Sequence, residues 1–184
     1  MAIAELVKQA AQGRAAAQKS LFDMLAGRLF LLCRRYVKDR GKAEEILQDG
    51  FVKIFRALPQ FSYSGEVAFL AWVKKIMVNE CLMELRRKNS FTLVAEEEGM
   101  EHPVEAVALE KLTAAEIFQL VLKLPAGYRT VFNLCLLEGY SHREVAETLQ
   151  ITEGTSKSQL SKARNLLQKM LEQNEPGYAK RKSK

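Results

Sequence analysis

Apolar residues recur along this chain at intervals of three and four, the period of an amphipathic helix, and nowhere sustain the alternation of a strand. Residues 2–11 and roughly 14–38 are rich in Ala, Leu, Lys and Arg, with Gly13 as a break and Gly27 as a second candidate break. Over residues 42–58 the apolar positions are Ile46, Leu47, Gly50, Phe51, Ile54, Phe55 and Leu58, one helical stripe that Pro59 ends. The opposite face carries Glu45, Gln48, Asp49, Val52 and Arg56. Ser64 and Gly65 interrupt the chain before a long helix predicted over residues 66–88.

The second half reads as four helices. The first covers about 104–124 with a break near Thr113, and Pro125 lies at or just before the start of the next, which runs to Glu138 and stops at Gly139. Ser141 followed three residues later by Glu144 is a capping box opening the third. Thr152, capping toward Thr155, opens the fourth, which extends to about Leu171. The pattern predicts an all-α protein of two small helical domains joined by a flexible acidic linker. Residues 1–90 form the first domain, 91–112 the linker and 113–173 the second domain, followed by a basic tail over 174–184.

Charge sharpens this division. Residues 1–88 hold 16 basic and 9 acidic side chains, residues 89–110 hold six glutamates and no Lys or Arg, and residues 111–184 hold 12 basic and 7 acidic groups. Two cationic blocks flanking an anionic connector point to a polyanionic partner for the blocks, which the connector is repelled by or mimics. No apolar run approaches the roughly 20 residues that span a bilayer, and the N-terminus lacks the basic-then-apolar order of a secretory signal. Cys33, Cys81 and Cys135 lie far apart, and with two histidines they show no metal-ligand spacing. The expectation is a cytoplasmic protein with reduced cysteines, no metal and no cofactor.

The short turn Leu149-Gln150-Ile151 joins the last two helices into a helix-turn-helix candidate. A helix about 10–12 Å across fits the major groove, so its first turns must present small or hydrogen-bonding side chains. Thr155, Ser156, Lys157, Ser158 and Gln159 are of that kind, and Lys162 and Arg164 add charge further along. Ala146, Leu149, Ile151, Leu160 and Ala163 are the apolar set that locks the two helices together.

With these residues in place the chain resembles the extracytoplasmic-function (ECF) class of bacterial RNA polymerase sigma factors, over roughly residues 15–87 and 115–171. The segment AEEILQDGFVKIFRAL is similar to that family's polymerase-binding helix. FLAWVKKIMVNECLMELRR is similar to its promoter-opening and minus-ten-reading helix, and LPAGYRTVFNLCLLEGYSHREVAETLQITEGTSKSQLSKAR to its minus-thirty-five-reading domain. The resemblance implies that Glu45, Gln48, Asp49 and Val52 face core RNA polymerase. It implies that Phe61, Ser62 and Tyr63 in a loop, with Trp72, Asn79, Arg86 and Arg87 on the following helix, meet the minus-ten element. A base leaving the stack there costs a few kcal/mol and needs a pocket or an aromatic platform to receive it; Trp72 is read as core or platform, Asn79 as a base or loop contact. The minus-thirty-five element falls to Thr155, Ser156, Lys157, Ser158, Gln159, Lys162 and Arg164.

Four positions depart from the family pattern. Gln150 stands where a glycine is usual, Ser156 where an apolar residue is usual, Gln159 where arginine is usual, and Gly50 where a larger residue is usual. The partners implied are core polymerase, promoter DNA and an anti-sigma factor, with no membrane insertion and no catalytic residue. Two other readings compete. A stand-alone helix-turn-helix regulator would bind duplex DNA without polymerase, usually as a dimer on paired half-sites. A metal-dependent nuclease would need Glu44, Glu45 and Asp49 to hold a metal, yet these sit on one helix with nothing nearby to complete the ligand set.

Overall fold

The computed structural model describes residues 3–87 and 114–174. The chain divides into two compact units, residues 1–89 and 90–184, and every described element is helical. The expected linker over 91–112 and the tail beyond Asn174 lie outside the described residues. Among the described residues no helix is long and apolar enough to cross a membrane.

The first unit packs α1 (Ile3–Ala11), α2 (Ala15–Tyr36), α3 (Arg40–Ala57), a 3-10 turn (Leu58–Gln60) and α4 (Glu66–Arg87). Gly13 makes the α1–α2 corner at φ +79°, a conformation costly to residues with a Cβ. Gly27 breaks nothing: α2 runs through it. The loss of roughly 1 kcal/mol for a helical glycine is small beside the burial of Leu21, Leu25, Leu29 and Leu32 on the same helix. Asp39 caps α3 by accepting from the Lys42 amide at 2.7 Å. Ile46, Leu47, Phe51 and Ile54 of α3 are buried as the stripe predicts, against Phe69, Val73, Met77 and Leu82 among the buried residues of α4. Gly50 explains its own departure, because a Cβ there would lie 2.5 Å from Met77 Cε; its absence lets α3 and α4 approach closely.

The second unit is built on α8 (Glu153–Asn174), against which α5 (Ala114–Lys123), α6 (Ala126–Phe132) and α7 (His142–Leu149) all pack. Pro125 is the N-cap of α6. That helix does not run on unchanged to Glu138; it widens into a π turn at Asn133–Leu137, closed by the Glu138 amide on the Asn133 carbonyl at 2.9 Å. Buried Arg129 donates through Nη1 to the Leu124 carbonyl at 2.8 Å, satisfying the end of α5 from the interior. The capping box forms as predicted: Ser141 Oγ accepts from the Glu144 amide, and the Glu144 carboxylate accepts from the Ser141 amide at 2.8 Å. Gln150 ends α7 in the left-handed region at φ 57°. Without glycine there, the turn carries a strain on the order of 1 kcal/mol, met by the Ile151 amide bonding the Ala146 carbonyl at 3.0 Å. Thr152 Oγ1 accepts from the Thr155 amide at 3.0 Å and starts α8.

Candidate nucleic-acid interface

The outward face of α3 separates into two parts. Toward its N-terminus, Glu44 pairs with Arg40 at 3.0 Å and Glu45 with Lys42, an internal neutralisation that also holds the Lys42 ammonium above the ordinary lysine range through its bond to Glu45. One turn further, Gln48 and Asp49 are exposed and Val52 is 46% exposed. Among the described residues no cation pairs with Asp49. A carboxylate and an apolar side chain side by side in water, on a helix whose other face is core, form a surface suited to a basic, partly apolar partner. Among the described residues no three His, Cys, Asp or Glu side chains are placed to hold a metal ion.

The loop after α3 is organised by aromatics. Phe61 stacks on Trp72 with centroids 4.5 Å apart and planes at 28°. Phe69 is fully buried beneath them and reaches Phe61 at 5.9 Å, Trp72 at 6.2 Å and Tyr63 at 6.3 Å. Trp72 is therefore half-buried: one ring face is spent on Phe61, and the indole is neither wholly core nor a free platform. Ser62 and Asn79 are exposed. Trp72, Lys75, Asn79 and Arg86 recur at helical spacing and line one side of α4 over about 21 Å at 1.5 Å per residue. Arg86 and Arg87 are exposed at its C-terminus, Arg87 paired with Glu84 at 2.8 Å. Beside the loop, Val7, Lys8 and Ala11 of α1 and Leu58, Phe61 and Tyr63 enclose a groove of about 550 Å³.

On α8 the structure corrects two expected groove contacts. Ser156 is fully buried, its Oγ 2.8 Å from Nδ1 of His142 on α7. Gln159 is 9% exposed, its Oε1 3.4 Å from where a Cβ on Gly127 of α6 would stand. Both lie on the stripe formed with Leu160, Ala163, Leu167 and Leu171 that α8 turns to the core. Of the remaining expected residues, Lys157 is exposed and Thr155, Ser158 and Lys162 are partly so. The Thr155 hydroxyl lies 2.9 Å from that of Thr152. Arg164 is partly exposed on the flank, its charge acting on the Cys135 thiol. At 3.6 residues per turn the face opposite the buried stripe holds Gly154, Ser158, Ser161, Lys162 and Asn165. Ser161 and Asn165 were not among the residues singled out from sequence. The phase of Leu160, Ala163, Leu167 and Leu171 is the signal that finds them.

Two family models match this chain. The family model for Sigma-70 region 2 matches residues 21–91, and that for Sigma-70, region 4 matches residues 114–167. The ECF RNA polymerase sigma factor SigW of Bacillus subtilis is 29% identical over 93% of this chain and 97% of its own length. The ECF RNA polymerase sigma-E factor of Salmonella typhimurium is 30% identical over 74% of this chain and 76% of its own. Among solved structures, CnrH in complex with the cytosolic domain of CnrY superposes with a TM-score of 0.52 at 25% identity, covering 92% of this chain and 97% of that one. Two separate regions in the right order, each on its own helical unit, establish that this chain belongs to the ECF class of RNA polymerase sigma factors, which direct RNA polymerase to promoters for transcription initiation.

Proposed function

We propose a residue-level division of that work. Asp49 and Val52, flanked by Gln48 and Glu45, form the contact of α3 with core RNA polymerase. Phe61, Ser62, Tyr63, Trp72 and Asn79 receive the separated strand at the minus-ten element, and Arg86 and Arg87 bind its phosphates. Ser158 and Lys162, joined by Ser161 and Asn165, face the minus-thirty-five element, while Thr155, Lys157 and Arg164 flank them. The observation that carries this reading is the surface that remains once the core is accounted for: the first unit leaves the exposed face of α3 and one side of α4, and the second leaves the outward face of α8. Core polymerase supplies the bond-making chemistry, so no residue here is catalytic and no cofactor is needed. Each unit alone binds DNA weakly; joint attachment to polymerase raises the effective concentration of the second contact. The place of action is the cytoplasm, where the polymerase works. An anti-sigma partner belongs to the same reading: CnrH was solved in complex with the cytosolic domain of CnrY, and the sigma factor RpoE of Bartonella quintana in complex with the anti-sigma factor NepR.

Lys162→Ala tests the assignment of α8. In holoenzyme, removing one phosphate contact weakens promoter binding about equally for all minus-thirty-five sequences and reduces the slope of log affinity against log salt by about 1. Salt titrations of wild type and variant on one promoter check it, and an unchanged slope would take Lys162 out of the interface.

A further inference from the structure

We propose that His142 is a positioning residue for promoter recognition: by holding Ser156 it fixes the angle and roll at which α8 is presented to the minus-thirty-five element. The inference rests on the reading of α8 as the helix that faces DNA.

Ser156 places a hydroxyl where packing asks for none. Ser156 sits in the first turn of α8 with no exposed surface, so its Oγ has no access to water and must find a partner inside. It finds His142 Nδ1 at 2.8 Å. His142 is the first residue of α7, held in place by the capping box that begins at Ser141. The Cys135 thiol of the π turn approaches the same nitrogen at 3.8 Å. Burial pushes that thiol above its ordinary range, so it stays neutral beside the ring. The contact thus gathers the π turn, α7 and α8 around one imidazole.

Three restraints then act on α8. The turn through Gln150 and Ile151 ties its start to the end of α7. The His142–Ser156 bond ties its first turn to the start of α7. Gln159, one turn further, lies against Gly127 of α6, where a side chain would crowd it. A covalent tether alone leaves the helix free to roll about its axis, and apolar contact resists rolling without preferring one angle sharply. A hydrogen bond is directional, weakening steeply as it bends, so it selects an angle. That angle decides whether Ser158, Ser161, Lys162 and Asn165 face outward together. The departures at Ser156 and Gln159 are, on this account, internal struts.

The test is run-off transcription by reconstituted holoenzyme on two templates, one with an intact minus-thirty-five element and one with that element base-substituted. The quantity read is the ratio of their yields, which a fall in the amount of folded protein does not change. His142→Ala and Ser156→Ala each lower that ratio severalfold, because α8 no longer holds the one roll at which its outward side chains meet the bases together. His142→Asn, whose amide places a polar atom near the position of Nδ1, restores most of it. Ser158→Ala, which removes a hydrogen-bonding side chain from the outward face of α8, serves as the control, and thermal melts followed by circular dichroism identify any variant that does not fold, in which case Ser156→Ala carries the reading. If Ser158→Ala lowers the ratio while His142→Ala and Ser156→Ala leave it intact, the positioning role is overturned and the reading of α8 stands. If none of the three changes it, both are overturned. If His142→Ala lowers both yields in proportion, its role is stability alone and the proposal is likewise overturned.

Discussion

Asp49→Arg lowers the affinity of this chain for core RNA polymerase by about 100-fold or more while leaving its fold unchanged. Asp49 is exposed in the middle of α3, beyond the ion pairs that occupy Glu44 and Glu45. An exposed substitution away from caps and core changes stability by about 0.5 kcal/mol or less. In the proposed contact, by contrast, a carboxylate that pairs with a cation is replaced by a charge that repels it, and like-charge juxtaposition costs several kcal/mol. Titration of fluorescently labelled core with wild type and variant measures the loss, and a melting curve confirms the fold. Glu44→Arg is the internal comparison: Glu44 already pairs with Arg40 within the same helix, so its reversal has a much smaller effect. Equal effects at the two positions would mean that overall charge, not a docked face, governs the association.

Phe69→Ala produces the largest expected change in stability. The ring is fully buried and underlies Phe61, Tyr63 and Trp72 at once. Truncating a buried phenylalanine costs about 3–5 kcal/mol, a large share of the 5–15 kcal/mol that holds a typical domain. The urea midpoint of the first unit falls accordingly. The loop then loses the floor on which the Phe61–Trp72 stack rests, so strand opening, read by permanganate reactivity of unpaired thymines, fails before promoter binding does. Phe61→Ala, at a half-buried ring, costs less stability and yet impairs opening. A variant at Phe69 that melts like wild type would show that the aromatic cluster does not support the loop.

How much of this was legible in the sequence depended on whether the deciding partner was near in the chain. The caps at Ser141 and Thr152 and the α3 stripe were, because each is written within a few residues. Ser156 and Gln159 read as outward-facing because a polar residue on an amphipathic helix normally is. Their inward partners, His142 and Gly127, lie on other helices, and no local pattern announces them. The helical phase of Leu160, Ala163, Leu167 and Leu171 alone would have placed Ser161 and Asn165 opposite the core. The π turn was invisible for a different reason: one extra residue in a turn barely alters apolar spacing over so short a span. Spacing alone leaves Trp72 open between core and platform, and the structure makes it half-buried, because its partner Phe61 comes from a loop whose path periodicity does not describe.

The central claim is that the two helical units acquire meaning only when polymerase holds them along one promoter. Its most direct measurement is footprinting of a promoter duplex by the purified chain, by core polymerase, and by both together. The account predicts protection at both elements and opening at the proximal one with the mixture only. Specific, tight protection by the chain alone, unchanged when core is added, would contradict it and return the protein to the class of stand-alone regulators.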